Sequence, residues 1–205
     1  MNRSTRTLAL ALLAPALVLA ACAKGDDTAG AADTTAVAPP TEMAPPAPTA
    51  APAATVSDAQ IAAIVLAANA VDSTAGVAAA AKGTHADVKQ FGQTMATDHG
   101  GVNAQAVALA GRLNLAPEEN PTSRQLTQGG QQSQQSLSGL TGAAYDRAYI
   151  DHEVEYHQTV LDAIDQTLIP SAQNAELKAL LEQVRPAVAA HLEMAKGIQT
   201  KLQGS

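Results

Sequence analysis

From Ile61 to Leu202 the large apolar residues of this chain recur three, four or seven positions apart, a rhythm that α-helices bury and strands do not. Composition agrees, with 2% aromatic residues and a wealth of Ala, Leu and Gln, which favour helix. The first helix is announced by Ser57-Asp58-Ala59-Gln60, where Ser57 can cap the start while Gln60 reaches back. Val56 and Ile61 hold the positions of a hydrophobic staple. Ile61, Val65, Ala68, Asp72, Ala75 and Ala79 then share one stripe, and Gly83 is a stop. Thr84 is the expected cap of a second helix, with Asp87 in its first turn.

That second stripe runs through Val88, Phe91, Met95, Val102, Ala106, Leu109 and Leu113 and ends before Pro117. Each Gly inside a helix costs ~1 kcal/mol against Ala, so Gly100-Gly101 predicts a kink or break just after His99. Between Pro121 and Gly142 a Gln-rich stretch, interrupted by Gly129-Gly130, reads as a weak helix or an ordered loop. A third helix follows from Ala143 to Leu168, with Tyr149, Val160 and Ile164 as landmarks and Pro170-Ser171 as its end. The fourth carries Leu177, Leu181, Val184, Val188, Ala195, Ile198 and Leu202, with Pro186 expected to kink or re-phase it. Four amphipathic helices with mostly short connections make an all-α, up-and-down four-helix bundle over residues 57–203.

The chain begins differently. Arg3 and Arg6 precede an apolar run from Leu8 to Ala21, about 21 Å long as a helix and shorter than the ~30 Å core of a bilayer. A charged start, a short apolar middle and a small-residue end are the parts of a secretory signal, here residues 1–21. Leu19-Ala20-Ala21-Cys22 resembles the lipobox of bacterial lipoprotein precursors, which implies cleavage before Cys22 and a diacylglycerol on its thiol. A plain signal peptide cut beside a cysteine is the alternative. Residues 22–56 are rich in Ala, Pro and Thr, too poor in large apolar groups to offset their ordering entropy, and read as a disordered tether. The expected setting is the bacterial cell envelope, anchored through lipidated Cys22, at the outer membrane and facing the periplasm. No later segment is expected to span a membrane.

Cys22 is the only cysteine, so the helical domain has no disulfide to rely on. Loss of the signal removes Arg3 and Arg6 and leaves a net charge of −9. That balance argues against nucleic acid as a partner and against adhesion to anionic lipid by charge.

Each of the four helices sets an ionisable residue on its apolar stripe. Asp72 lies between Ala68 and Ala75, and His99, with Asp98 beside it, follows Met95 by four. Glu153 and His157, four apart, share a face, and His191 stands seven from both Val184 and Ile198. Buried without partners, such groups are costly, so they bond one another or bind something. Imidazole and carboxylate suit divalent transition metals, and bundle cores assemble sites from facing helices. The expected ligands to one divalent transition metal are Asp72, His99, Glu153, His157 and His191, with Asp98 and Tyr149 behind them. The di-iron pattern wants Glu-x-x-His on two helices, and this chain has none. A mononuclear site, a degenerate site and no metal all stay open, as does an ordinary core in which carboxylates such as Asp98 and Glu153 satisfy the histidines. Counted from the nearest turns, Asp72 and His99 lie roughly 13 to 15 residues away and His191 about 20, an offset of several ångströms that sets His191 apart. His85 and His152 read as surface or boundary residues, and Tyr145 and Tyr149 as packing residues with a hydroxyl partner. No residue is assigned as catalytic, because no nucleophile–base pair or phosphate loop is apparent.

With the stripes in place, the segment from Asp87-Val88-Lys89-Gln90-Phe91 through Met95 to Asp98-His99 resembles the "VK-x-FA-x-x-M-x-x-DH" pattern of a family of bacterial envelope proteins, the domain of unknown function 4142. The likeness continues with Tyr145-Asp146-Arg147-Ala148-Tyr149-Ile150, seven residues before His157, and with Pro186 followed by His191-Leu192. The chain departs from it at Asp72, where Glu is usual, and at Gly100-Gly101. The resemblance implies a ferritin-like fold and an envelope setting, and no reaction. The expectation is an envelope-anchored bundle that binds one divalent metal or acts in envelope stress. The competing expectation is a structural or protein-interaction module with no metal; a metal-dependent enzyme ranks behind both.

Overall fold

The computed structural model describes residues 55–204, and every regular element among them is helical. The expected signal, Cys22 and nearly all of the expected tether lie outside the described residues. Helix α1 spans Asp58–Lys82, α2 Ala86–Arg112, α3 Pro121–Ser138, α4 Gly142–Ala163 and α5 Ala175–Gln203. α4 continues through a π-helical turn, Ile164–Leu168, into a last α turn, Ile169–Ser171.

Among the described residues there are thus five long helices where four were expected: the Gln-rich stretch, read as a weak helix or an ordered loop, is α3. Its start is made by Asn120, whose Oδ1 accepts from the Ser123 N–H at 3.1 Å while Ser123 Oγ accepts from the Asn120 N–H at 3.0 Å. Asn120 Nδ2 also donates to the Gln60 carbonyl at 3.1 Å, tying α3 to the start of α1. Only Ser123, Gly130 and Leu137 of α3 are buried, so its apolar stripe was too thin to read.

Local chemistry sets the other ends. Ser57 and Gln60 form the expected capping box at 3.2 Å in both directions, and Val56 and Ile61 pack into the same apolar cluster. The cap of α2 is His85 rather than Thr84: His85 Nδ1 accepts from the Asp87 N–H at 3.2 Å. Thr84 is occupied by Asp146 of α4, whose carboxylate accepts from the Thr84 N–H at 2.9 Å, the Thr84 hydroxyl at 2.5 Å and the His85 N–H at 2.8 Å. α2 runs unbroken through Gly100-Gly101, because both glycines face solvent and the opposite side is anchored by buried Met95, His99, Ala106 and Leu109. α5 likewise stays helical across Pro186; Pro186 and Glu182, whose carbonyl loses its helical donor, are both exposed.

α1 packs along α2 and α4 along α5, so the four long helices form two hairpins, joined through α1–α4 and α2–α5 contacts, with α3 against α1. Asp58 fixes their relative direction. Its carboxylate accepts from the Gln173 and Asn174 N–H groups, each at 2.9 Å, which puts the start of α1 at the α4–α5 turn. Asp146 puts the start of α4 at the α1–α2 turn. The two hairpin turns therefore lie at opposite ends.

The interior divides into two apolar clusters. One holds Ile61, Ile64 and Val65 of α1, Leu109 of α2, Ile164 and Leu168 beyond α4, and Leu177 to Val188 of α5. The other holds Ala75 and Ala79, Val88 to Met95, Tyr145 to Ile150, and Ala195 to Leu202. A fully buried Phe91, Ile61 or Ile150 contributes about 1.5–3 kcal/mol by leaving water. On every long helix the boundary between the clusters falls at a buried ionisable residue: Asp72, His99, Glu153 with His157, and His191. By length and mean hydropathy (1.6), α1 would pass for a membrane-spanning helix, against the sequence expectation. Half of that window is buried in the bundle, and the helix carries Asn69 and Asp72 inward, which makes it the core helix.

Candidate metal centre

Asp72, Glu153, His157, His99 and His191 are all buried, at 1–6% exposure. The three imidazoles form a triangle with ring centroids 5.2, 5.5 and 5.6 Å apart. One nitrogen from each of His99, His157 and His191 lies within 4.8 Å of the other two, and Asp72, Glu153 and His157 form a second such group. The depth offset expected between His191 and the other candidates does not hold. The turns used for that count lie at opposite ends of the molecule. Measured from one shared end, Asp72 stands 14 residues past Asp58, His157 16 before Gln173 and His191 17 past Asn174, so all are roughly 21–26 Å deep at ~1.5 Å per residue.

Each imidazole is oriented by its outer nitrogen. His99 Nδ1 lies 2.9 Å from Asn69 Oδ1, and the Asn69 amide is itself oriented by donating from Nδ2 to the Val65 carbonyl at 2.7 Å. His157 Nδ1 lies 3.0 Å from the Glu153 carbonyl, and His191 Nε2 3.0 Å from Asp98 Oδ2. Every one of these partners is an acceptor, so a neutral imidazole must place its single proton on that side. The inner nitrogens, His99 Nε2, His157 Nε2 and His191 Nδ1, are left as lone pairs, buried and without a hydrogen-bond partner in the protein.

They face a carboxylate. Asp72 Oδ2 lies 3.1 Å from His99 Nε2 and 3.4 Å from His157 Nε2, yet neither Asp72 oxygen has a hydrogen-bond partner. Acceptor meets acceptor, and only a proton or a cation between them resolves the contact. Glu153 approaches His157 from the other side, Oε2 to Nδ1 at 3.4 Å. Tyr149, also buried, sets its hydroxyl beside Glu153.

Burial governs the charges. It pushes Asp72 well above the usual carboxylate range, reinforced by the neighbouring Glu153 and partly opposed by His157. It pushes Glu153 up to about 8. It pulls His99 down to about 3, helped by the like-charged forms of His157 and His191, and lowers His191 against the pull of Asp98. At neutral pH His99 is therefore a neutral imidazole whose inner nitrogen carries no proton.

Sequence reasoning missed Asn69, which orients His99, and Tyr156, whose hydroxyl donates to the Ala68 carbonyl at 2.9 Å beside the cluster. Asn69 had a signal, three residues before Asp72 on the same stripe. His152, half-buried, lies against the Tyr156 ring at 5.7 Å and stays outside the cluster.

No curated protein and no solved structure matches this chain. Residues 43–198, which include all the residues that compose the cluster, match the family described as a domain of unknown function (DUF4142), and the chain belongs to that family.

Proposed function

We propose that the domain holds one divalent transition-metal ion between Asp72, His99, His157 and His191, with Asn69, Asp98 and Glu153 behind them. The carrying observation is that two buried sets, His99 with His157 and His191 and Asp72 with Glu153 and His157, each bring ligand atoms within 4.8 Å of one another, while the inner imidazole nitrogens and both Asp72 oxygens have no hydrogen-bond partner in the protein. Four tetrahedral ligands at bonds of ~2.0–2.2 Å sit about 3.3–3.6 Å from one another, close to the 3.1 and 3.4 Å separations around Asp72. Three imidazoles and one carboxylate form a borderline donor set, suited to Zn, Fe, Mn, Co, Ni or Cu rather than to Mg or Ca. Outer partners of this kind raise ligand basicity and fix the tautomer, the usual arrangement behind metal-bound histidines. The wider reading is a ferritin-like bundle carried in the bacterial envelope by a lipid on Cys22, and the lipobox-like Leu19-Ala20-Ala21-Cys22 supports it.

The test is elemental analysis of the purified domain, with melting curves before and after chelation and metal addition. Binding at 100 times Kd adds about 2.7 kcal/mol of stability, and His99→Ala and His157→Ala should each abolish the rise. Metal-free protein whose melting temperature ignores Zn, Fe, Mn and Cu leaves the other reading, a neutral cluster that only fixes helix register in a structural module. For the anchor, Cys22→Ser should remove a lipid mass and release the protein from membranes; unchanged mass and location would overturn that part.

A further inference from the structure

The cluster is also one wall of a cavity. A chamber of about 90 Å³ runs from Asp72, His99, His157 and His191 into the apolar cluster that contains Ile64, Val160, Leu168 and Leu181. Native cores seldom keep voids larger than a water molecule, and unfilled core volume is destabilising, so a chamber of this size at one point in the bundle calls for a cause. Part of the cause is local. The π-helical turn Ile164–Leu168 inserts an extra residue into the end of α4, and Ile164 and Leu168 line the chamber. Small side chains account for more, since Ala68, Ala163 and Ala187 stand where larger residues would fill the space. The lining reaches exposed residues at two places, Thr122 with Thr159 between α3 and α4, and Asp98 with Ala187 between α2 and α5.

We infer that this chamber is a binding site for a compact, uncharged, mainly apolar molecule of at most about six heavy atoms, seated beside the histidine cluster. Size limits the occupant: the chamber is somewhat smaller than the ~150 Å³ apolar cavity that accepts benzene. Charge limits it further. No Lys or Arg lines the chamber, while Asp98 does, so an anionic head would find no counter-charge there. A cation would leave water for a predominantly Val, Leu, Ile and Ala surface. At the polar end His99 Nε2, His157 Nε2 and His191 Nδ1 have no hydrogen-bond partner in the protein and can accept an O–H. An occupant with a single O–H donor is therefore favoured over the matching hydrocarbon when the cluster carries no metal. This site stands apart from the metal reading, since it needs the void and the acceptors and not the ion.

The experiment is a titration of the chelated, metal-free domain with cyclopentanol and with cyclopentane, followed by methyl resonances of Ile64, Val160, Leu181 and Val184. Saturable shifts confined to these methyls are expected, with cyclopentanol at least threefold tighter than cyclopentane. Val160→Phe, which fills the chamber, should abolish them. Ala187→Leu, at an exposed edge, is a second variant less demanding on folding and should weaken them. Shifts that grow linearly without saturation, or that spread over surface methyls such as Val77 and Val107, would overturn the site. Repeating the titration with saturating Zn separates the two readings: failure of metal binding leaves the cyclopentanol result standing, and the reverse holds too.

Discussion

Asp98 Oδ2 stands 3.0 Å from His191 Nε2, and this contact decides which nitrogen of His191 faces the bundle axis. Asp98 is 48% exposed and His191 6%, so a surface carboxylate sets the tautomer of an interior imidazole. Asp98→Ala should thus weaken metal affinity about 10–100-fold, the usual effect of losing an outer partner of a ligating histidine. The metal-free melting temperature should hardly move, because the carboxylate contributes little buried contact. Competition against a chromophoric chelator reads the affinity, and equal affinities for the two proteins would remove Asp98 from the site.

The metal-free domain should lose stability as pH rises from about 6.5 to 8. Glu153, ordinarily at 4.5, is pushed up to about 8 by burial, so the folded chain keeps a proton that the unfolded chain has released. The stability from that proton is complete below about 4.5 and is lost as pH climbs through about 8. His99 acts in the other direction: lowered from 6.5 to about 3, it destabilises the fold as pH falls through that interval. The two offset each other between about 4.5 and 6.5, and above that the Glu153 proton is what remains to be lost, with Asp72, also raised by burial, acting in the same direction. The slope should be roughly 1.4 kcal/mol per pH unit for each proton retained. Urea unfolding across this range should show it, and Glu153→Gln should flatten it. A flat wild-type profile would contradict the buried neutral carboxyl.

The start of the first helix at Ser57 and the five inward ionisable residues on the four long helices were legible because they depend on spacing alone. What stayed hidden depends on pairings between distant segments. Whether His191 reaches the height of His99 turns on which helix ends meet, and that is settled by Asp58 bonding to residues 173 and 174. Thr84 looked like a cap because Asp146, 62 residues away, is invisible to local patterning. α3 escaped because it buries only three residues, one of them Gly130, whose missing side chain lets Val71 of α1 close in. The doubt over Gly100-Gly101 was a correct local penalty outweighed by packing on the other face of α2.

Asp146 should prove the costliest polar residue to remove outside the cluster. It is 1% exposed and accepts from three donors at the α1–α2 turn, so Asp146→Ala leaves two backbone N–H groups and a hydroxyl without their acceptor. Hydrogen bonds to a charged group are worth about 1.5–3 kcal/mol each, and partial rescue by water reduces the total to roughly 3 kcal/mol. For a domain of this size that lowers Tm by about 6–12 °C. Asp146→Asn, which keeps one acceptor oxygen, should lose less than half as much. Calorimetry on both variants checks the order, and equal losses would mean that the charge rather than the acceptor geometry holds the turn.

Two pairs of glycines in α1 and α2 should respond to alanine with opposite signs. Gly76 and Gly92 sit where the helices touch backbone to backbone. A Cβ on Gly76 would fall 2.6 Å from the Gly92 carbonyl oxygen and 2.7 Å from the Ala96 nitrogen, and one on Gly92 2.7 Å from the Ala80 nitrogen. Backbone cannot rotate out of the way, so the helices must separate and loosen Phe91 and Met95 beside them. Gly76→Ala and Gly92→Ala should each cost about 3 kcal/mol, the upper end of the overpacking range. Gly100 and Gly101 meet nothing within 4 Å on the same helix α2. There the added methyl only restricts the unfolded chain and improves helix propensity, so Gly100→Ala and Gly101→Ala should each add about 0.5–1 kcal/mol. Urea melts of the four single variants decide the matter, with the first pair shifted to lower midpoints and the second to higher. A destabilised Gly100→Ala would show that α2 needs its flexibility just past His99, and would return the kink that the sequence suggested there.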